Sequence, residues 1–261
     1  MESLNPLTLL QFYVDSGVDE ALGDLAQDRF KVLEKLQAPS PSNVLDLPPT
    51  PVAVAATHDG LIDARALAAS AKTLEELRAA IDKFQGLSIK RSATQMVFAD
   101  GVAESGIMLI GEAPGEDEDR VGRPFVGVSG QLLDKMLAAI GLSRETNIYL
   151  TNILNWRPAG NRAPTDSEIA LSLPFIQRHI EIVQPKLIIL AGGVAAKALL
   201  ETNTGITRLR GKWVDYTLPG LKTAIPLMPI FHPSYLLSSP QQKSLAWADL
   251  QAIRLKLKET T

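Results

Sequence analysis

From residue 106 onward, short apolar runs alternate with segments of helical spacing. That alternation restricts the chain more than any other feature. Residues 107–110 (IMLI), 148–154, 187–190 (LIIL), 213–218 and 224–230 read as strands. Residues 130–140, 166–183, 193–200 and 242–258 read as helices. The first carries Leu132, Leu133, Met136, Leu137 and Ile140 on one side and stops at Gly141. The second starts on Asp166 as its cap, with Glu168 in the first turn. Alternation of this kind builds an α/β fold, a three-layer α/β/α sandwich around a central, mainly parallel, four-stranded sheet. Ligands of such sheets bind outside the carboxyl ends of the strands. The chemistry is therefore expected just after residues 110, 152 and 230.

The rest of the chain reads differently. Residues 1–37 have apolar positions at helical spacing, among them Leu7, Leu10, Phe12, Val14, Leu22 and Leu25. Residues 38–56 are rich in proline and serine and read as a linker. The main domain is then 57–261. Within it, residues 61–84 read as helical, with Leu74, Leu77 and Ile81 on one face. Net charge is −3, which excludes a globally basic nucleic-acid binder. The charge is uneven, though: residues 1–60 hold three basic and nine acidic groups, whereas residues 208–261 hold eight basic and three acidic. The C-terminal part is the place to seek a polyanion contact. The chain has no cysteine, which excludes disulfides, thiolate catalysis and cysteine-held clusters. No apolar run has the length of a membrane helix and no signal peptide is visible, so a cytoplasmic, monomeric protein with no membrane contact is expected.

Three motifs fall at the expected ligand edge. The first is GEAPGEDED followed by RVGRPFVG, from Gly111 to Gly127. It lacks the Lys-Ser/Thr of a phosphate loop. Its acidic run, Glu116 to Asp119, is either a solvated loop or a candidate magnesium site for phosphohydrolysis. The second is Tyr149-Leu150-Thr151-Asn152, followed by NWRPAGNRAPT. An asparagine at a strand end presents a donor beside an acceptor, as reading a base edge requires. It equally serves to satisfy a turn. The third is Phe231-His232-Pro233-Ser234-Tyr235-Leu236-Leu237. His232 is placed either to stabilise charge developing on a ligand or as a satisfied core residue. His58 and His179 read as solvated.

Taken together, GEAPGEDEDRVGRPFVGVSGQLL, YLTNILNWRPAGNRAPT and HPSYLL resemble the uracil-DNA glycosylase superfamily, and within it the family-four, iron–sulfur type. SATQMVFADG and LRGKW are weaker matches. The resemblance implies a DNA repair enzyme that flips uracil from uracil-containing DNA and hydrolyses its N-glycosidic bond, with water as co-substrate and no cofactor. It implies that Glu112, Asn152 and His232 are catalytic. Gly111, Ala113, Glu118, Phe125 and Asn152 would bind the base, Phe125 by stacking, Asn152 through the O4 and N3–H edge, and Glu118 near C5. Arg208, Arg210, Lys212, Ser234, Leu236 and Leu237 would contact DNA, with Leu236 or Leu237 as a wedge. A related glycosylase family carries a catalytic aspartate where this chain has Ala113. The cluster cysteines are missing: Trp156 and Ser172 stand where two would fall, Leu87 replaces a third, and no metal is expected. Alternatives are a broader glycosylase acting on hypoxanthine or xanthine and a catalytically silent damage binder. The acidic N-terminal segment is a candidate contact for a repair or replication partner.

Overall fold

The computed structural model describes residues 58–260. The helical reading of 1–37 and the linker 38–56 lie outside the described residues. Two helices open the described part, α1 (His58–Ser70) and α2 (Leu74–Lys83). The single helical stretch expected over 61–84 is therefore divided. Thr73 causes the break: its hydroxyl accepts the Glu76 N–H and caps α2. Arg178 then donates to the carbonyl of Ala71 in the gap, at 2.8 Å.

The sheet has six strands rather than four, in the order β1-β3-β2-β4-β6-β5. Its centre is the expected parallel set: β2 (Ile107–Gly111), β3 (Tyr149–Asn152), β4 (Leu187–Ala191) and β6 (Ile225–Ile230). The additions are two short antiparallel edges, β1 (Ala99–Gly101) on β3 and β5 (Val214–Tyr216) on β6. At three residues, β1 is too short to show periodicity, so its sequence reads as loop.

Alternate strand residues enter two separate cores. Met108, Ile110, Tyr149, Ile188, Leu190 and Leu227 face α1, α2, α5 (Asp166–Val183) and α6 (Gly193–Leu200). Leu109, Leu150, Ile189, Met228 and Ile230 face α4 (Val128–Ala138) and α9 (Lys243–Thr260). These are the three layers. The α5 cap is Thr165 rather than Asp166: its hydroxyl accepts the Glu168 N–H while the Glu168 carboxylate accepts the Thr165 N–H.

His179 corrects a second expectation. It is buried, not solvated: its ring stacks on Phe98 with centroids 4.7 Å apart, and Nε2 lies 3.0 Å from the Tyr149 hydroxyl. Burial lowers its pKa to about 3 and holds it neutral.

Leu87 and Trp156 lie in the first core, at 4% and 3% exposure, and Ser172, on α5, is 3% exposed. The Lys90 ammonium sits 5.3 Å over the Trp156 ring. Phe84 packs on Phe175 in the same core, with ring centroids 5.3 Å apart. The Ser172 hydroxyl is buried without a hydrogen-bond partner among the described residues. A leucine, an indole and a lone hydroxyl are not a donor set for iron, and an iron–sulfur cluster does not fit this chain.

Candidate active site

The carboxyl ends of the four parallel strands open on one cavity of about 390 Å³. Each strand contributes at least one lining residue. From β2 come Glu112 and Ala113, from β3 Asn152, from β4 Gly192 and Gly193, and from β6 His232. Phe125 and Glu118 reach in from the loop after β2.

Gly111 ends β2 in register with Asn152. A side chain at 111 would overlap the Phe125 ring and the Asn152 amide oxygen, so glycine lets both approach. The loop then forms the short helix α3 (Glu116–Val121). Glu118 turns inward from it, and its carboxylate accepts the backbone N–H of Gly115 at 3.0 Å and those of Val126 and Gly127 at 2.8 Å. Both its oxygens are therefore committed to the loop, although the residue also lines the cavity. The neighbouring acids separate. Glu116 pairs with Arg157 at 3.3 Å and Asp117 with Arg120 at 2.9 Å. Asp119 accepts the backbone N–H groups of Thr94 and Gln95. Among the described residues no group of three or more acidic or histidine side chains is placed to hold a metal ion.

Asn152 is 3% exposed, yet its amide makes no hydrogen bond to a described residue and lines the cavity. Glu112 is half-buried and its carboxylate is likewise unpartnered among the described residues. Burial alone raises its pKa above the ordinary 4.5. An unpaired, desolvated carboxylate in a cleft marks a functional site.

His232 caps the helix α8 (Pro233–Ser238). Its Nδ1 accepts the Ser234 backbone N–H at 3.2 Å, and the Ser234 hydroxyl lies 2.7 Å from the same nitrogen. The lone pair is thus on Nδ1, and the neutral ring carries its proton on Nε2. Burial lowers the pKa to about 4, with the Glu118 charge acting weakly the other way. The imidazole is neutral near pH 7. Its ring lies 6.1 Å from that of Phe125, inclined at 32°.

The proposed DNA set divides. Arg208 and Lys212 are exposed. Arg210 is not available: it pairs with the buried Asp249, donates to the Leu245 carbonyl at 2.6 Å and lies over the Phe231 ring. Leu236 is 1% exposed and packs with Phe231 and Ala246, so it cannot serve as a wedge. Leu237 and Tyr235 are the exposed apolar residues of that helix. Ser234 is exposed but faces His232 and lines the cavity.

Sequence reasoning missed the end of β4. Gly192 has φ +100°, and a side chain there would start 3.0 Å from the His232 Cβ. The Ala-Gly-Gly following an apolar strand was the available signal. It also gave no role to Pro158, Asn161 and Arg162, which line the cavity. Arg162 is tied to Glu168 by hydrogen bonds of 2.6 and 2.8 Å.

Comparison with known proteins agrees with this geometry. The sequence model of the uracil DNA glycosylase superfamily matches residues 98–251. A type-4 uracil-DNA glycosylase of Sulfurisphaera tokodaii is 34% identical over 187 residues, which is 70% of this chain and 84% of that protein. A type-4 uracil-DNA glycosylase of Thermotoga maritima is 37% identical over 158 residues, 60% of this chain and 79% of that one. The matched span holds all four strand ends around the cavity, and by that match the chain belongs to the uracil DNA glycosylase superfamily.

Proposed function

We propose that this chain removes uracil from DNA, with residues 57–261 as its catalytic domain. The observation that carries the reading is the convergence of Glu112, Asn152 and His232, from three strand ends, on one cavity beside Phe125. A flipped uracil stacks on Phe125. The Asn152 amide accepts from N3–H and donates to O4. Cytosine presents the opposite pattern at that edge and leaves buried groups unpaired. The bond between N1 and C1′ breaks with its electron pair passing to the base. The His232 Nε2–H donates to O2 and stabilises that anion, and a neutral imidazole does so without first losing a proton. The Glu112 carboxylate faces the cationic sugar and the water that attacks C1′. The type-4 relatives support uracil as the base.

The test is single-turnover excision from oligonucleotides carrying uracil, hypoxanthine, xanthine or a mismatched thymine. The parent protein should leave alkali-labile sites at uracil. His232→Ala should slow that step by roughly one hundred- to one thousand-fold. Asn152→Asp, which offers acceptors only, should lose uracil and gain weak cytosine excision. Both variants excising uracil at the parental rate would place the chemistry outside this cavity.

A further inference from the structure

Phe125 has φ +55°, a left-handed conformation that a bulky residue adopts only under constraint. The constraint comes from Arg144, in the loop between α4 and β3, which no motif singled out. Its side chain is buried, and all five guanidinium N–H groups are used. Nη2 donates to the Phe125 carbonyl at 2.8 Å and Nη1 to the Pro124 carbonyl at 3.0 Å. Nη1 also donates to Asp100 at 2.8 Å. Nε and Nη2 both donate to Asp134, at 3.1 and 2.6 Å. On the other side of Phe125, Glu118 accepts the next two backbone N–H groups. Gly130 closes the arrangement, since a side chain there would overlap the Phe125 carbonyl.

We propose that Arg144 is a positioning residue: it fixes the strained backbone of Phe125, and through it the ring face on which the flipped base stacks. The inference rests on Phe125 as the stacking residue. Arg144 does not itself line the cavity; its donors end on the backbone carbonyls of Pro124 and Phe125 and on two carboxylates. Two carbonyls one residue apart and two carboxylates from different elements need a planar fork. The three donors of a lysine cannot serve them all.

The experiment measures half-saturation by free uracil as an inhibitor, and single-turnover excision from a uracil oligonucleotide. It compares the parent, Phe125→Ala, Arg144→Lys and the double variant, with thermal midpoints recorded alongside. Loss of stacking should raise the uracil half-saturation by about tenfold in Phe125→Ala. Arg144→Lys should do the same within about threefold, and the double variant should be no worse than Phe125→Ala alone. A merely structural role lowers the midpoint without this saturation of effects. Phe125→Ala with parental uracil binding overturns the stacking reading itself. An impaired Phe125→Ala beside a parental Arg144→Lys, or losses that multiply in the double variant, overturns the brace. If Arg144→Lys does not fold, the comparison is made with Asp134→Ala, which removes the oxygen that both Nε and Nη2 donate to. Parental uracil binding in that variant overturns the brace equally.

Discussion

Replacing Glu118 by glutamine separates two roles for one carboxylate. The resemblance places it beside the C5 position of the base, whereas the structure spends both oxygens on three backbone N–H groups. Glutamine keeps one oxygen for Val126 and Gly127 but turns an NH₂ toward the Gly115 N–H, so donor faces donor. One amide left unsatisfied costs about 1–3 kcal/mol, at the lower end here because Gly115 is only partly buried. The two remaining bonds lose the assistance of the charge, roughly half their strength. The total is about 2–4 kcal/mol. For a domain of this size that lowers the thermal midpoint by roughly 5–15 °C. Scanning calorimetry of the purified variant reads it directly. An unchanged midpoint together with new thymine excision would mean that the carboxylate faces the base and not the backbone.

Four other outcomes follow. Trp156→Ala should destabilise by about 3–5 kcal/mol in urea unfolding, because a buried indole leaves a cavity. Arg208→Ala should reduce the salt slope of DNA binding by roughly 0.9 per lost phosphate contact without moving the thermal midpoint. Arg210→Ala should do the reverse, costing about 3–5 kcal/mol of stability, since it strands the buried Asp249 carboxylate. Acid should unfold the protein partly through its histidines. His179 and His232 have pKa values of about 3 and about 4, below the 6.5 of the unfolded chain, so the unfolded state binds more protons in between. Stability is fully present above pH 6.5 and is lost as pH falls toward 4, by up to about 1.4 kcal/mol per unit and group. Urea titrations from pH 7 to 4 should show this slope reduced in His179→Leu.

The parallel core was legible because its strands are short, mainly apolar runs, and the two edge strands differ from it in length. Thr73 carried a cap signal, but the apolar spacing on either side masked it. Asn152 and His232 were visible as polar residues at strand ends. The lack of a competing partner for the Asn152 amide was not, since it depends on what the fold brings alongside. The Arg210 side chain illustrates the limit: a local excess of positive charge identifies a face, but only the fold shows that Asp249, 39 residues away, has claimed one member. His179 failed for the same reason, because Tyr149 and Phe98 reach it from other elements.

The strand order also acts as a ruler. Asn152 stands on β3 and His232 follows β6, with β2 and β4 between them. The two strand ends that carry them are therefore three interstrand steps apart, roughly 14 Å of backbone. No loop rearrangement changes that distance while the ladder persists. The two intervening strands both give way to glycine, Gly111 on β2 and Gly192 after β4, where a side chain would meet the Phe125 ring and the Asn152 amide, or His232. Loops can alter the mouth of the cavity, while the spacing of the strand ends around it is set by the sheet.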